Sequence, residues 1–208
     1  MVIKIVYFDW GDVLGGNGDP QLFSHLTQKL GLPKPDIDTI VSEELTPFFK
    51  GKITEQAFWS AVCERASYTG DRAPFDELFK RFYHPVLFPR PEVLDVAAHV
   101  RSAGTPTGIL SNLITPLAAF CRENNYFASF NPIVVSSEIG HMKPEERIYA
   151  TALERAALSD ASTVLFVDNN PAYLAAARAF GFRTVLYDNR RDPITDLKDN
   201  LRDAGVLP

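Results

Sequence analysis

The feature that most constrains this chain is its opening run VIKIVYFDWGDVL, residues 2–14, where β-branched and aromatic residues follow Lys4 without interruption until Asp9. A strand that is apolar at every position must be covered on both faces, as a central strand of a parallel sheet is. Asp9 therefore falls where such a strand ends, and ligands of open parallel sheets bind outside the carboxyl ends of the strands. A carboxylate at that place has the position of a nucleophile.

The stretch WGDVLGGNGDP that follows contains Gly11, Gly15, Gly16 and Gly18, which favour repeated turns and suggest a flap beside Asp9. From Pro20 to about Pro89 apolar residues recur at helical spacing in QLFSHLTQKLG, DIDTIVSEELTPFF, TEQAFWSAVCERA and FDELFKRFY, predicting four helices. From Pro91 helix and strand alternate through EVLDVAAHVRSAG, TGILSN, LAAFCRENN, PIVVSS, EERIYATALERAA, TVLFVD, AYLAAARAFG and RTVLY, with a last helix over LKDNLRDAGVLP. The expected fold class is α/β. A Rossmann-like parallel sheet core from residues 1–16 and 90–208 is interrupted by a helical-bundle cap over residues 17–89. Asp9, Ser111 and Asp168 then all lie at strand ends of one sheet, so three distant segments converge.

Composition excludes several classes of function. With 46% hydrophobic residues, a chain of 208 can bury a core. The 21 basic and 26 acidic residues give a net charge of −5 with no long basic run, so no nucleic-acid partner is expected. The apolar stretches are too short to cross a bilayer, and no membrane association is expected. Cys63 and Cys121 have no metal-binding spacing and, without a leader segment, read as buried thiols of a cytoplasmic protein. The oligomeric state is not legible.

Three motifs accompany Asp9: ILSN with Ser111 and Asn112, HMKPEERIY with Lys143, and VLFVDNN with Asp168, Asn169 and Asn170. An aspartate with the ordinary pKa of about 3.9 is ionised at neutral pH and can attack phosphorus without a base. What it lacks is cations that let it approach an anionic ester. Lys143 is a compact point charge, Ser111 and Asn112 supply hydrogen-bond donors at a strand end, and Mg²⁺ held by a few carboxylates would neutralise the rest.

These four motifs, in this order over residues 9–170, are similar to those of the haloacid dehalogenase superfamily. Asp9-Trp10-Gly11-Asp12-Val13 and FKGKITEQAFW, residues 49–59, resemble a capped subgroup related to the amino-terminal phosphatase domain of soluble epoxide hydrolase and to bacterial sugar-phosphate phosphatases. The resemblance implies a Mg²⁺-dependent phosphatase of a small phosphorylated metabolite, working through an aspartyl-phosphate on Asp9. It implies that Lys143 holds nucleophile and phosphate, that Ser111 and Asn112 bind the phosphate, and that the cap sets specificity. It also implies that Mg²⁺ is held by Asp9, the Gly11 carbonyl and the Asp168-Asn169 pair.

Two positions depart from that pattern. Gly11 stands where most family phosphatases carry the aspartate that protonates the leaving group, a contribution of about a hundredfold to ten-thousandfold. Asp12 is the substitute catalytic carboxyl, although a shift of one residue ordinarily turns a side chain away. Asn169 replaces a second consecutive aspartate, and a neutral amide weakens metal binding, so a weak Mg²⁺ requirement is expected. Other readings stay open: an impaired family member that only binds, and a metal-independent haloacid dehalogenase, against which Tyr173 occupies the place of a water-activating aspartate. A carbon–phosphorus hydrolase would need a Schiff-base lysine, whereas Lys50 and Lys52 read as solvated. Phe48, Phe49, Phe58, Trp59, Phe79, Phe82 and Tyr83 read as bundle core, with one or two lining the pocket. His25, His84 and His99 read as structural or surface residues, His141 as a loop residue or substrate contact, and Arg190 and Arg191 as a solvated pair.

Overall fold

The computed structural model describes residues 2–208; Met1, where the expected core segment begins, lies outside the described residues. Strand β1 (Ile5–Phe8) is followed by four helices, α1 (Asp19–Leu30), α2 (Lys34–Phe49), α3 (Glu55–Arg65) and α4 (Leu78–Tyr83). Next come α5 (Pro91–Ser102), β2 (Thr107–Ser111), α6 (Thr115–Glu123), β3 (Ile133–Val135), α7 (Ser136–Ile139) and α8 (Glu146–Arg155). The chain continues through β4 (Val164–Asp168), α9 (Pro171–Phe180), β5 (Arg183–Leu186) and α10 (Ile194–Asp203). The strands form one parallel sheet in the order β3-β2-β1-β4-β5. This is the α/β architecture expected from the alternation, and strand order reverses at β1, the switch point where such sheets bind ligands.

The side-chain period of two explains why β1 reads as apolar throughout. Ile5 and Tyr7 join one buried cluster with Phe166 and Tyr149, while Val6 and Phe8 join the other with Ile109 and Val167. Each face of the sheet is thus covered by helices. Tyr7 satisfies its buried hydroxyl by donating to the Ala152 carbonyl at 2.7 Å. After β1 the chain turns tightly: Gly15 donates to the Trp10 carbonyl at 2.7 Å, and a Cβ at Gly15 would lie 2.6 Å from Trp10 Nε1. Trp10 itself is fully buried, stacks on Tyr126 and donates to the Leu87 carbonyl at 3.2 Å.

The helical segment differs from expectation at its end. A fourth helix from Phe75 is predicted, but Glu77 adopts φ 50, and α4 is a six-residue helix beginning at Leu78. Phe48, Phe58, Trp59 and Phe79 pack on one another. This segment meets the sheet domain through His84, stacked on Phe120 at 3.5 Å, and Lys50, paired with Glu145 at 2.5 Å. Lys50 is therefore not a solvated side chain: it is 18% exposed because its ammonium reaches across to a carboxylate that in turn faces His141 at 3.2 Å. Cys63 and Cys121 are free and buried, and burial pushes the Cys121 thiol up to about 12. Among the described residues no helix is long and apolar enough to cross a membrane.

Candidate active site

The strand ends bring Asp9, Lys143 and Asp168 into one row. Lys143 Nζ lies 2.8 Å from Asp9 Oδ1 and 2.6 Å from Asp168 Oδ2, and also donates to the Leu110 carbonyl at 3.3 Å. Asp168 and Lys143 are fully buried, and Asp9 is 7% exposed. The Phe166 and Tyr173 rings stand 5.1 and 5.0 Å from the ammonium. Burial opposes the charge on Lys143, but Asp168 and Asp9 together outweigh it and hold the ammonium protonated. Burial pushes Asp168 up to about 6, with Lys143 working against that rise.

Asn112 fixes this row from the main chain. Its Oδ1 accepts from the Lys143 N–H at 2.8 Å and its Nδ2 donates to the Lys143 carbonyl at 3.0 Å. The same amide also hydrogen-bonds the Tyr173 side chain, which borders the cavity. The loop after β2 is further held by Ser136, whose Oγ accepts from the Leu113 N–H at 3.1 Å. Ser111, the last residue of β2, is 1% exposed. Asp168 Oδ1 accepts from the Asn170 N–H at 2.7 Å, and Asn170 caps α9 by accepting from the Ala172 N–H at 2.9 Å.

A second charged group flanks the first. Asp12 adopts φ 57, a left-handed conformation that aspartate tolerates, and its side chain lines the cleft beside Asp9 instead of turning away. Arg190 Nε lies 3.3 Å from Asp12 Oδ1, and its guanidinium also pairs with Asp188 at 3.2 Å. Arg191 is the solvated member of the pair, 79% exposed; Arg190, 44% exposed, instead bridges two aspartates that are 2% and 7% exposed. Beside it Asn189 donates its backbone N–H to the Asp12 carbonyl at 2.8 Å and its amide to the Val13 and Gly15 carbonyls at 2.9 Å. Asp188, Asn189 and Arg190 follow β5, so the strand-end criterion that selects Asp9, Ser111 and Asp168 also points to them. Burial raises the Asp12 pKa, with Asn17 and Arg190 opposing. In contrast, hydrogen bonds from Arg190 overcome burial and hold Asp188 below the usual carboxylate range.

Asp9, Asp12, Lys143, Asn112, Asn169 and Gly11 border a cleft of about 350 Å³ whose opposite wall comes from α1, α2 and α4. A larger recess of about 600 Å³ beside α3, bordered by Glu55, Trp59, Cys63 and Arg72, lies away from these strand ends.

A family model of haloacid dehalogenase-like hydrolases matches residues 3–181. The chain belongs to this family. The (S)-2-haloacid dehalogenases of Pseudomonas putida and Pseudomonas fluorescens are 26% identical over 149 residues, 71% of this chain but only 63% of their own length. A solved haloacid dehalogenase family enzyme of Bacteroides thetaiotaomicron, in complex with magnesium and inorganic phosphate, is 20% identical, with a TM-score of 0.69 over 91% of this chain and 96% of its own. A solved L-2-haloacid dehalogenase is 18% identical, with a TM-score of 0.69 over 97% and 100% of the two chains. At these identities the structures share the fold, and the haloacid dehalogenase-like fold is common to proteins of both descriptions.

For a haloacid dehalogenase-like hydrolase the fit to Mg²⁺ rests on the donors around the cavity. Asp9, the Gly11 carbonyl and Asn169 are oxygen donors suited to a hard cation. Asp9 Oδ1 and Asp12 Oδ1 are buried without an aligned hydrogen-bond donor, and the floor holds two carboxylates against one ammonium. Asp168, with both oxygens engaged, sits beneath the cavity. No group of three His, Cys, Asp or Glu side chains among the described residues could hold a metal alone. The donor set therefore fits Mg²⁺ as one carboxylate with neutral oxygens, completed by substrate.

Proposed function

We propose that this hydrolase is a Mg²⁺-assisted phosphomonoesterase that attacks a small phosphorylated metabolite with Asp9. The observation that carries the reading is the buried Asp9–Lys143–Asp168 row at the cavity floor, which sets the nucleophile beside a fixed cation. An oxygen of the Asp9 carboxylate bonds to phosphorus while the bond between phosphorus and the ester oxygen breaks, and the leaving oxygen takes a proton from Asp12. Water then adds to phosphorus and gives a proton to Asp12. The bond between phosphorus and Asp9 breaks, releasing inorganic phosphate and the carboxylate. Lys143 keeps its proton and orients Asp9, while Ser111 and Asn112 serve the phosphate end. Magnesium, held by Asp9, the Gly11 carbonyl and Asn169 with support from Asp168, would neutralise charge on the phosphoryl oxygens. Residues 17–89 serve as the cap, and residues 1–16 and 90–208 as the catalytic core.

Phosphate release from a panel of small esters, with and without millimolar Mg²⁺, tests this reading. Release should depend on Mg²⁺ and fall by at least about a thousandfold in Asp9→Asn, the scale of losing a covalent nucleophile. No release by the native chain from any ester would overturn it. The Pseudomonas relatives favour a second reading, displacement of halide from an (S)-2-haloacid by the same carboxylate. Metal-independent halide release would select that reading, in which Tyr173 offers no carboxylate to activate water.

A further inference from the structure

We infer that the group esterified to the phosphate is apolar and compact, an alkyl or aryl group of about seven non-hydrogen atoms, and not a sugar. The inference rests on the phosphatase reading for the phosphate end and on the cavity wall for the rest.

Above the charged floor the wall is hydrocarbon. Leu22 of α1, Val41, Leu45 and Phe49 of α2, Phe79 of α4 and Leu117 of α6 face the same cavity as Asp9 and Lys143. Leu22, Val41, Phe79 and Leu117 are no more than 4% exposed, so they form a packed apolar wall. An apolar group lying against it should gain about fourfold in affinity for each methylene buried.

The polar flank of the cavity is occupied with itself. Asn17 donates to Asp12 Oδ2 and to Asp19 Oδ2, each at 3.1 Å, and its Oδ1 accepts from the Asp19 N–H at 2.9 Å. The Tyr83 hydroxyl donates to Asp19 Oδ1, and Arg190 faces Asp12 Oδ1. The other polar residues that border the cavity, Asn112, Asn169, Asn170 and Tyr173, come from the loops after β2 and β4 and from the first turn of α9, where the phosphate would sit. A polyhydroxylated group would leave hydroxyls unpaired against leucine and phenylalanine, which discriminates strongly against it. At about 30 Å³ for each water-sized group, the cavity holds about a dozen non-hydrogen atoms, five of them phosphate.

Calorimetric binding of hexyl phosphate and glucose 6-phosphate to Asp9→Asn, together with KM values of the native chain for ethyl, butyl, hexyl and decyl phosphate, tests the inference. Hexyl phosphate should bind at least about tenfold tighter than glucose 6-phosphate. KM should fall about fourfold per methylene as far as hexyl and stop falling at decyl. Equal affinity, tighter glucose 6-phosphate or binding of neither would overturn the inference, as would a KM indifferent to chain length should the variant fail to fold. Turnover of glucose 6-phosphate in preference to the alkyl esters would overturn it while leaving the phosphatase reading intact. Preferential binding of hexyl phosphate without turnover of any ester would uphold the inference and remove the phosphatase reading.

Discussion

Asp9 and Asp12 border the cleft, each bridged by one cation to an aspartate behind it, and the two pairs differ in how much water reaches the bridge. Asp9 and Asp168 meet at Lys143, whose side chain is 1% exposed; Asp12 and Asp188 meet at Arg190, whose side chain is 44% exposed. A compact ammonium shielded from solvent has its full interaction with the two carboxylates and no water to exchange them for. A guanidinium at the rim can trade each carboxylate for water, so it orients Asp12 more than it stabilises the fold. Burial of the bridge separates the group that would do chemistry from the group that would aim it.

Removing Lys143 should break the comparison most severely. Lys143→Met leaves two carboxylates buried without a counter-charge, and urea denaturation at neutral pH should show a loss of about 3–5 kcal/mol. A loss below about 1 kcal/mol would mean that water already reaches the floor and that the two bridges are alike. Asp12→Asn should leave stability nearly unchanged yet lower phosphate release by about a hundredfold, the contribution of a positioned acid. Gly11→Asp on that background should recover part of the rate, because a Cβ at Gly11 meets nothing within 4 Å and the space beside Asp9 is open. Unaltered release in Asp12→Asn would strip the flank of any proton-carrying role.

Smaller effects sharpen the contrast. Arg190→Gln should cost about 1 kcal/mol in the same denaturation experiment, the upper range for a water-accessible pair. Lys50→Met should cost about 0.5 kcal/mol, and its pH dependence has a definite sign. Burial alone would raise the Glu145 pKa, but hydrogen bonds from Lys50 and His141 hold it below the usual range. The stabilisation is present above the unfolded value of about 4.3 and is lost as pH falls through the lower folded value. Thermal melts of the native chain and Lys50→Met should differ at pH 7 and converge as pH falls below the lowered folded value of Glu145.

The contrast also marks what could be read from sequence. Asp9, Ser111 and Asp168 were legible because an apolar run that stops at a polar residue locates a strand end, and strand ends of a parallel sheet converge. Lys143 was legible through its motif. The Asp12 side chain was not, because its direction depends on the φ of 57 at that residue, which aspartate permits but does not require. Glu77 hid the short α4 in the same way, by breaking an apolar period that continued through it. Arg190 and Lys50 looked like ordinary surface charges because their partners are distant in the chain, and no local pattern records which carboxylate a long cation will reach.

The contacts of Asn189 with the Val13 and Gly15 carbonyls join residues 176 and 174 positions apart. During synthesis the loop that carries Asp12 emerges well before the side chain that anchors it. The sheet between them brings these segments together, so the clamp depends on β1, β4 and β5 being paired. A ribosome-bound chain can hold Asp9 on a nascent strand and still lack the fastening that sets Asp12. The cleft is completed only when the segment after β5 has joined the loop after β1.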